Sequence, residues 1–287
     1  MLIDQVGLKQ QDSDAQIESK LGSCDVDEQE DAIDLIAQKI SVNKGTTGHE
    51  YVLWLNNICL KLADLIVKNQ TKNALRQQIV GKIFQEFAPQ IELGLINRDE
   101  FLSRISHQFN TNDPQQRILS LKILQFCPGL LQNRLDIQHQ ILYLLTTKTV
   151  KDPKEREIAN DTISKIAASS EGFAKSIMIK VEEAILSGNY DTATCQNLIQ
   201  VISNVPGDSN CGLLFFETIC KVVASLREEN KSLQLPLLRA LLKMTIKVPL
   251  LFDCVFDFLS SNGNGKLDSL LCEESIYVLS RAYAFSP

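Results

Sequence analysis

The chain has 287 residues, a net charge of −6 and an apolar fraction of 44%, which fit one large folded domain or two ordinary ones and exclude a chain that is disordered throughout. An acidic chain is a poor candidate for binding the phosphate backbone of nucleic acids, and no apolar run reaches the roughly 18 residues of a membrane span. Few glycines, prolines and aromatic residues, together with many Leu, Ile, Lys, Gln and Glu residues, favour helices over sheets.

The front of the chain is strongly acidic. Residues 1–34 contain ten acidic residues and two lysines, whereas the rest of the chain is close to neutral. Residues 1–27 also lack a sustained apolar period. We therefore expect an acidic flexible arm over residues 1–28, followed by a single domain over residues 29–287.

Apolar residues recur three and four positions apart through nearly all of the remaining chain. Clear windows are AIDLIAQKI at 32–40, YVLWLNNICLKLADLIV at 51–67 and ALRQQIVGKIFQEF at 74–87. Alternation with a period of two is nowhere convincing, so strands are not expected. Short polar breaks divide the pattern into about a dozen helices, and such short connections favour antiparallel neighbours.

A repeated pattern marks the predicted helix starts. The stretch NTNDPQQR contains Asp113, Pro114 and Arg117, and TVKDPKER repeats the arrangement 39 residues later. Asp191 follows after another 39 residues. An Asp before a Pro predicts a helix N-cap, because the missing N–H of proline costs nothing at the first helical position. The residues that we assign to a structural repeat ladder are Arg76, Asp113, Pro114, Arg117, Asp152, Pro153, Arg156 and Asp191.

A period of about 40 residues with two helices per unit predicts an all-α fold, an α-solenoid of HEAT/armadillo-like helical pairs. One pair cannot bury its apolar face alone, whereas stacked pairs bury a continuous core and can align Asp and Arg side chains along one edge. A compact helical bundle is the alternative, but a bundle has no need of the shared register. The Asp–Arg pairs are therefore interpreted as helix caps and contacts between repeats, and not as a phosphate or substrate clamp.

No catalytic, cofactor-binding or metal-binding residue is predicted. The histidines His49, His107 and His139 are isolated and have no zinc-like spacing to a carboxylate. The loop SSNGNGKLDSLL at 260–271 faintly resembles a calcium-binding loop, but it lacks carboxylates at its first and last positions. No phosphate-binding glycine motif and no nucleophile motif occurs in the sequence.

The eight cysteines contain no CxxC pair. Most of them lie in apolar helical windows, such as NNICLKLAD, FETICKVV and LFDCVFDF. We interpret them as small buried side chains in a reducing compartment. The start of the chain, MLIDQVGLKQQDSD, lacks the basic and apolar regions of a secretory signal, which agrees with an intracellular location.

Three longer stretches resemble a known family. Two of them are LKLADLIVKNQTKNALRQQIVGKI at 60–83 and INRDEFLSRISHQFNTNDPQQRILSLKIL at 96–124, which are similar in letters, order and spacing to the N-terminal region of the Integrator subunit 7 family. The third, IAASSEGFAKSIMIKVEEAI at 166–185, is similar to a later segment of that family. The resemblance covers residues 50–190, and members of the family are usually far longer.

The resemblance implies a non-catalytic scaffold subunit of a nuclear complex that acts in small nuclear RNA 3′-end processing and RNA polymerase II transcription termination. It implies other protein subunits as partners, a nuclear location and no cofactor, and it carries over no functional residue. Two alternatives remain open. One is an unrelated HEAT/armadillo adaptor, and the other is a solenoid that binds nucleic acid through basic residues gathered on one face.

Overall fold

The computed structural model describes residues 14–43, 46–67, 73–146, 152–204, 209–226 and 228–262, together with Ser280. These residues form helices joined by turns and short loops, and none of them lies in a strand. The chain divides into two compact units, Met1–Leu130 and Leu131–Pro287.

The described residues of the first unit form helices joined by turns and short loops. Its α-helices are α1 (residues 14–21), α2 (Val26–Val42), α3 (His49–Val67), α4 (Asn73–Gln78), α5 (Gln85–Glu92), α6 (Arg98–Ser106) and α7 (Pro114–Phe126). A π-helical segment, Ile79–Phe84, joins α4 to α5 in one continuous helical stretch, and a 3₁₀ turn, His107–Asn110, extends α6. Pro89 lies inside α5, where it removes one backbone donor from the helical ladder.

These helices stack in two rows. In the first row α3 lies between α1 and α6, and in the second row the α4–α5 stretch lies between α2 and α7. Each helix has one apolar stripe, so stacking buries the stripes of successive pairs in a shared core. That core contains Ile36, Ile58, Phe84 and Phe101, whose side chains are all fully buried.

The second unit contains the later helices. They are α8 (Leu135–Thr146), α9 (Pro153–Ser169), α10 (Glu171–Ser187), α11 (Thr192–Asn204), α12 (Ser209–Ser225), α13 (Gln234–Lys247) and α14 (Phe252–Asn262). Short 3₁₀ segments, Glu228–Leu233 and Pro249–Leu251, precede α13 and α14.

Helix pairs also stack within the second unit. The pairs are α8–α9, α10–α11 and α12–α13; α9, α11 and α13 contact one another in order along one row, and α10 contacts α12 along the other. The helices that follow Asp152 and Asp191 are therefore successive members of one row, as the 39-residue period predicts. The predicted fold class, an all-α α-solenoid of HEAT/armadillo-like helical pairs, is confirmed.

The prediction of a flexible arm over residues 1–28 is wrong for its second half. Residues 14–21 form α1, and α2 begins at Val26. Ile17 and Leu21 of α1 are buried, with 2% and 4% of their surface exposed. Two apolar residues one turn apart give too weak a period to be recognised in an acidic stretch. Residues 1–13 lie outside the described residues, and the single domain over residues 29–287 stays a prediction.

Candidate functional site

Two residues of the predicted ladder cap helices. Asp113 precedes α7, and its carboxylate accepts a hydrogen bond from the Gln115 backbone N–H at 2.9 Å. Asp152 precedes α9 and accepts from the Lys154 backbone N–H, also at 2.9 Å. Each bond satisfies one of the backbone donors that a helix start leaves free. Pro114 and Pro153, which directly follow the two aspartates, begin the helices.

Asp191 performs a similar role in the second unit. Its carboxylate accepts from the Thr194 backbone N–H at 2.7 Å, and its backbone carbonyl accepts from the Cys195 N–H at 3.1 Å. The preceding helix, α10, ends at Ser187 and is capped by Gly188, whose φ of 68° lies in the left-handed region. A glycine adopts this conformation without steric cost, so the short turn between α10 and α11 is fixed by local chemistry at both ends.

The ladder arginines lie near the starts of α4, α7 and α9. Arg76 in α4 and Arg117 in α7 are both buried, with 6% and 9% exposed, and Arg156 in α9 is half-buried. Burial lowers the pKa of Arg76, and the nearby charge of Asp113 opposes this effect. Arg117 donates to the Thr111 carbonyl in the turn before its own helix. The Arg76–Asp113 proximity links neighbouring second-row helices, whereas a ladder through all eight predicted residues stays a proposal.

A different set of charged pairs joins successive helices of a row, and sequence reasoning missed it. Each pair places its acidic residue on the earlier helix and its basic residue on the later one, at a separation close to one repeat. The pairs are Glu18–Lys61 on α1 and α3, Asp34–Lys82 on α2 and the π segment, Asp64–Arg104 on α3 and α6, and Glu182–Lys221 on α10 and α12. The sequence does contain acidic and basic residues about one repeat apart. They cannot be assigned to pairs, however, until it is known which helix faces meet.

A groove of about 730 Å³ lies in the second unit. Its walls come from α8, α10 and the turn after α10, and the lining residues are His139, Leu142, Tyr143, Thr146, Ser176, Ile179, Lys180, Glu183 and Tyr190. Tyr143 and Ile179 are 64% and 68% exposed, so the groove presents two large apolar side chains to solvent on neighbouring walls. The sequence offered no signal for the groove, because these two residues lie off the buried stripes of their helices.

The charges in the groove balance each other. Lys180 Nζ lies 3.0 Å from a Glu183 carboxylate oxygen and 5.5 Å from the centroid of the Tyr190 ring. Hydrogen bonds from Lys180 to Tyr190 and to Glu183 raise the pKa of Lys180. Because the Lys180 ammonium group is paired with the Glu183 carboxylate, the two together contribute little net charge to the groove. The groove is therefore suited to aliphatic or aromatic side chains of a partner.

Within the described ranges, no three His, Cys, Asp or Glu side chains converge in a way that could hold a metal ion. None of the described helices combines the length and apolar character that a bilayer crossing requires. The candidate calcium loop at 260–271 lies almost entirely outside the described residues.

The predicted burial of the cysteines holds for Cys59, Cys127, Cys195 and Cys211. It is wrong for Cys254, which is exposed on α14. The neighbouring Val255 is fully buried, and one helical position rotates a side chain by about 100°, so Cys254 turns away from the core. Cys24 is also exposed, Cys220 is half-buried, and Cys272 lies outside the described residues.

Comparisons with known proteins agree with the fold. The family profile described as "Integrator complex subunit 7, N-terminal" matches residues 16–254. The chain is 31% identical over 137 residues to an Integrator complex subunit 7 homolog of Dictyostelium discoideum, a match that covers 48% of this chain and 13% of that protein. It is 24% identical over 210 residues to Integrator complex subunit 7 of Danio rerio, which covers 73% of this chain and 20% of that protein. The matches thus span a fifth or less of the length of these relatives.

A crystal structure of an engineered protein is similar to this chain with a TM-score of 0.50 and 15% sequence identity, and the match covers 94% of this chain and 68% of that one. At this identity the likeness concerns the fold alone. The family profile, by contrast, extends from α1 through the first residues of α14 and thus includes the capped helix starts, the inter-repeat ion pairs and the groove. The chain belongs to the Integrator complex subunit 7, N-terminal family.

Proposed function

We propose that this chain is a non-catalytic scaffold subunit of a nuclear Integrator-like complex that acts in small nuclear RNA 3′-end processing and RNA polymerase II transcription termination. The family match over residues 16–254 is the observation that carries this proposal. The stacked helical pairs support it, because rows of helices present long surfaces on which other proteins can bind. The function is thus one of holding protein partners in place.

The groove between α8 and α10 is the surface that we propose for one of these partners. Its exposed Tyr143 and Ile179 offer apolar area that a partner can bury, and the Lys180–Glu183 pair leaves the groove without a strong charge. Aromatic and aliphatic anchors in such a groove typically supply most of the binding energy of an interface. The partner is expected to be a protein subunit with aliphatic side chains along one face.

Membership of the complex is tested by affinity purification of the tagged full chain from cells that express it, followed by mass spectrometry. We expect other Integrator subunits to co-purify. Depletion of the chain should also increase small nuclear RNA transcripts that extend past their normal 3′ ends. Purification that recovers no Integrator subunit would overturn the proposed membership.

The role of the groove is tested with the double variant Tyr143→Asp/Ile179→Asp in the same purification. Two buried carboxylates in the interface should remove at least one of the co-purifying subunits, because an unpaired charge is costly to desolvate. Leu250→Asp is the matched control, since Leu250 belongs to the same unit and is 81% exposed. Full recovery of every subunit with the double variant would exclude the groove as a partner surface while leaving membership intact.

A further inference from the structure

Among the described residues, α1 is the first helix of the first row, and Ile17 and Leu21 are its buried apolar residues. With Asp14 and Glu18 they occupy positions i, i+3, i+4 and i+7 of a helix. This spacing places all four side chains on one face, which is the anchor pattern of a helix that lies in a groove. The face of α1 that meets the stack is therefore both apolar and acidic.

Basic side chains of α2 and α3 contact the acidic residues on this face of α1. Glu18 accepts from Asn57 Nδ2 at 2.8 Å and from Lys61 Nζ at 2.7 Å, and both donors lie on α3. Asp14 pairs with Lys39 on α2. The two carboxylates thus meet one basic group on each of the two helices that α1 contacts, so the surface and its occupant are complementary in charge as well as in apolar character.

Lys39 connects this surface to the only tryptophan of the chain. Its ammonium group lies 4.1 Å from the centroid of the Trp54 ring, and Trp54 is 7% exposed. A tryptophan in contact with a held cation and shielded from water reports its surroundings through its emission. Trp54 therefore provides an intrinsic signal for whether the Asp14–Lys39 contact is intact.

We propose that the surface formed by α2 and α3 is a docking site for an acidic amphipathic helix of a partner protein, with the spacing Asp-x-x-Ile-Glu-x-x-Leu, and that α1 occupies this site in cis. In the described stack, α1 is the first member of its row and is joined to α2 only through residues 22–25. A partner helix with the same four side chains can make the contacts that Asp14, Ile17, Glu18 and Leu21 make, and it lacks only the ion pair of Lys20 with Asp31. This site does not depend on the complex membership proposed above, since it is tested with the isolated chain.

The test compares the wild-type full chain with the double variant Ile17→Ser/Leu21→Ser. The probe is a fluorescein-labelled peptide of residues 12–22, DSDAQIESKLG, and binding is measured by fluorescence anisotropy. A tethered helix competes at an effective concentration in the millimolar range. We therefore expect the peptide to bind the variant at least about tenfold more tightly than the wild-type chain. A peptide with serine at both apolar positions is the control and should not bind.

Charge reversal tests the specificity of the site. Adding Lys61→Glu to the double variant should weaken binding of the peptide, and a peptide carrying Glu18→Lys should restore it.

Equal peptide affinity for wild-type and variant chains would overturn the proposal, as would no binding to a variant that retains its helical spectrum and cooperative melting. If the double variant does not fold, the full-chain variant Glu18→Lys replaces it; because it keeps both apolar side chains and repels Lys61, the peptide should bind it more tightly than it binds the wild-type chain. Displacement of α1 should also shift the Trp54 emission to longer wavelength.

Discussion

Lys61 Nζ on α3 lies 2.7 Å from Glu18 Oε2 on α1, although the two residues are 43 positions apart in the sequence. The pair is the first of several in which an acidic residue on one helix meets a basic residue on the next helix of the same row. Asp64 and Arg104 continue the arrangement from α3 to α6, with an N–O distance of 2.8 Å. In both of these ion pairs the acidic residue precedes the basic residue along the chain.

The Glu18–Lys61 pair should contribute little stability by itself. Its side chains are 36% and 40% exposed, and ion pairs of this exposure typically contribute about 0.2–1 kcal/mol. In a double-mutant cycle with Glu18→Gln and Lys61→Gln, followed by urea unfolding, we expect a coupling energy in that range. The coupling should decrease as salt is raised from about 0.05 to 0.5 M, because salt screens exposed charges. A coupling that does not change with salt would show that the two side chains are held by packing.

The N-cap aspartates should matter more than the ion pairs. Replacement of Asp113 or Asp152 by Ala removes the acceptor of a helix-start N–H, and such changes typically cost about 0.5–2 kcal/mol. Urea unfolding should show this loss for each variant. Asp113→Asn and Asp152→Asn are the matched controls, because an asparagine carbonyl accepts the same hydrogen bond and should retain most of the stability. Equal losses for Ala and Asn would contradict the capping role.

These caps were predictable from the sequence because their chemistry is local. Asp113 and Asp152 cap through bonds to residues two positions ahead, and proline restricts the helix start without any tertiary contact. The helices were predictable for a related reason, since an apolar period of three and four belongs to each helix alone. The fold class then follows from the common register of the capped helix starts.

The candidate sites were not predictable, because they depend on which helix faces meet. In the sequence, nothing distinguishes Tyr143 and Ile179 from other apolar residues; they form a groove only because α8 and α10 lie side by side in the fold. Helix α1 was missed because only Ile17 and Leu21 mark its apolar face within an acidic stretch. Its docking is decided by the surface of α2 and α3, which the local sequence of α1 does not contain.

Leu121 tests the shared core of the first unit. It lies on α7 and is fully buried. Leu121→Ala should cost about 2–5 kcal/mol, and Leu121→Asp should cost more because it also buries a carboxylate. Urea unfolding followed by circular dichroism should show loss of helicity that extends beyond α7, since stacked pairs stabilise their neighbours. Leu93→Asp is the matched control, because Leu93 is 73% exposed, and it should leave the transition nearly unchanged. Full helicity and a normal transition in Leu121→Asp would contradict a core shared between pairs.

Cys127 should make the stability of the first unit depend on alkaline pH. Burial raises the pKa of its thiol to about 12, whereas the pKa of a thiol in the unfolded chain is about 8.5. Between these values the folded chain keeps a proton that the unfolded chain releases. The stabilising contribution of the thiol is therefore complete below about pH 8.5 and is lost as the pH rises towards about 12, with a slope of about 1.4 kcal/mol per pH unit.

This pH dependence is measured by urea unfolding between about pH 8 and pH 10.5, where one thiol contributes the stated slope. Cys127→Ala lowers the stability at every pH because it removes buried atoms, but its stability should fall less steeply with pH than that of the wild-type chain. Cys24→Ala is the control, since Cys24 is exposed, and it should keep the wild-type slope. Cys59 is also fully buried and its pKa is also raised by burial, so Cys59→Ala should reduce the slope in the same direction. Identical slopes for the wild-type chain and Cys127→Ala would mean that the Cys127 thiol ionises without unfolding the helices around it.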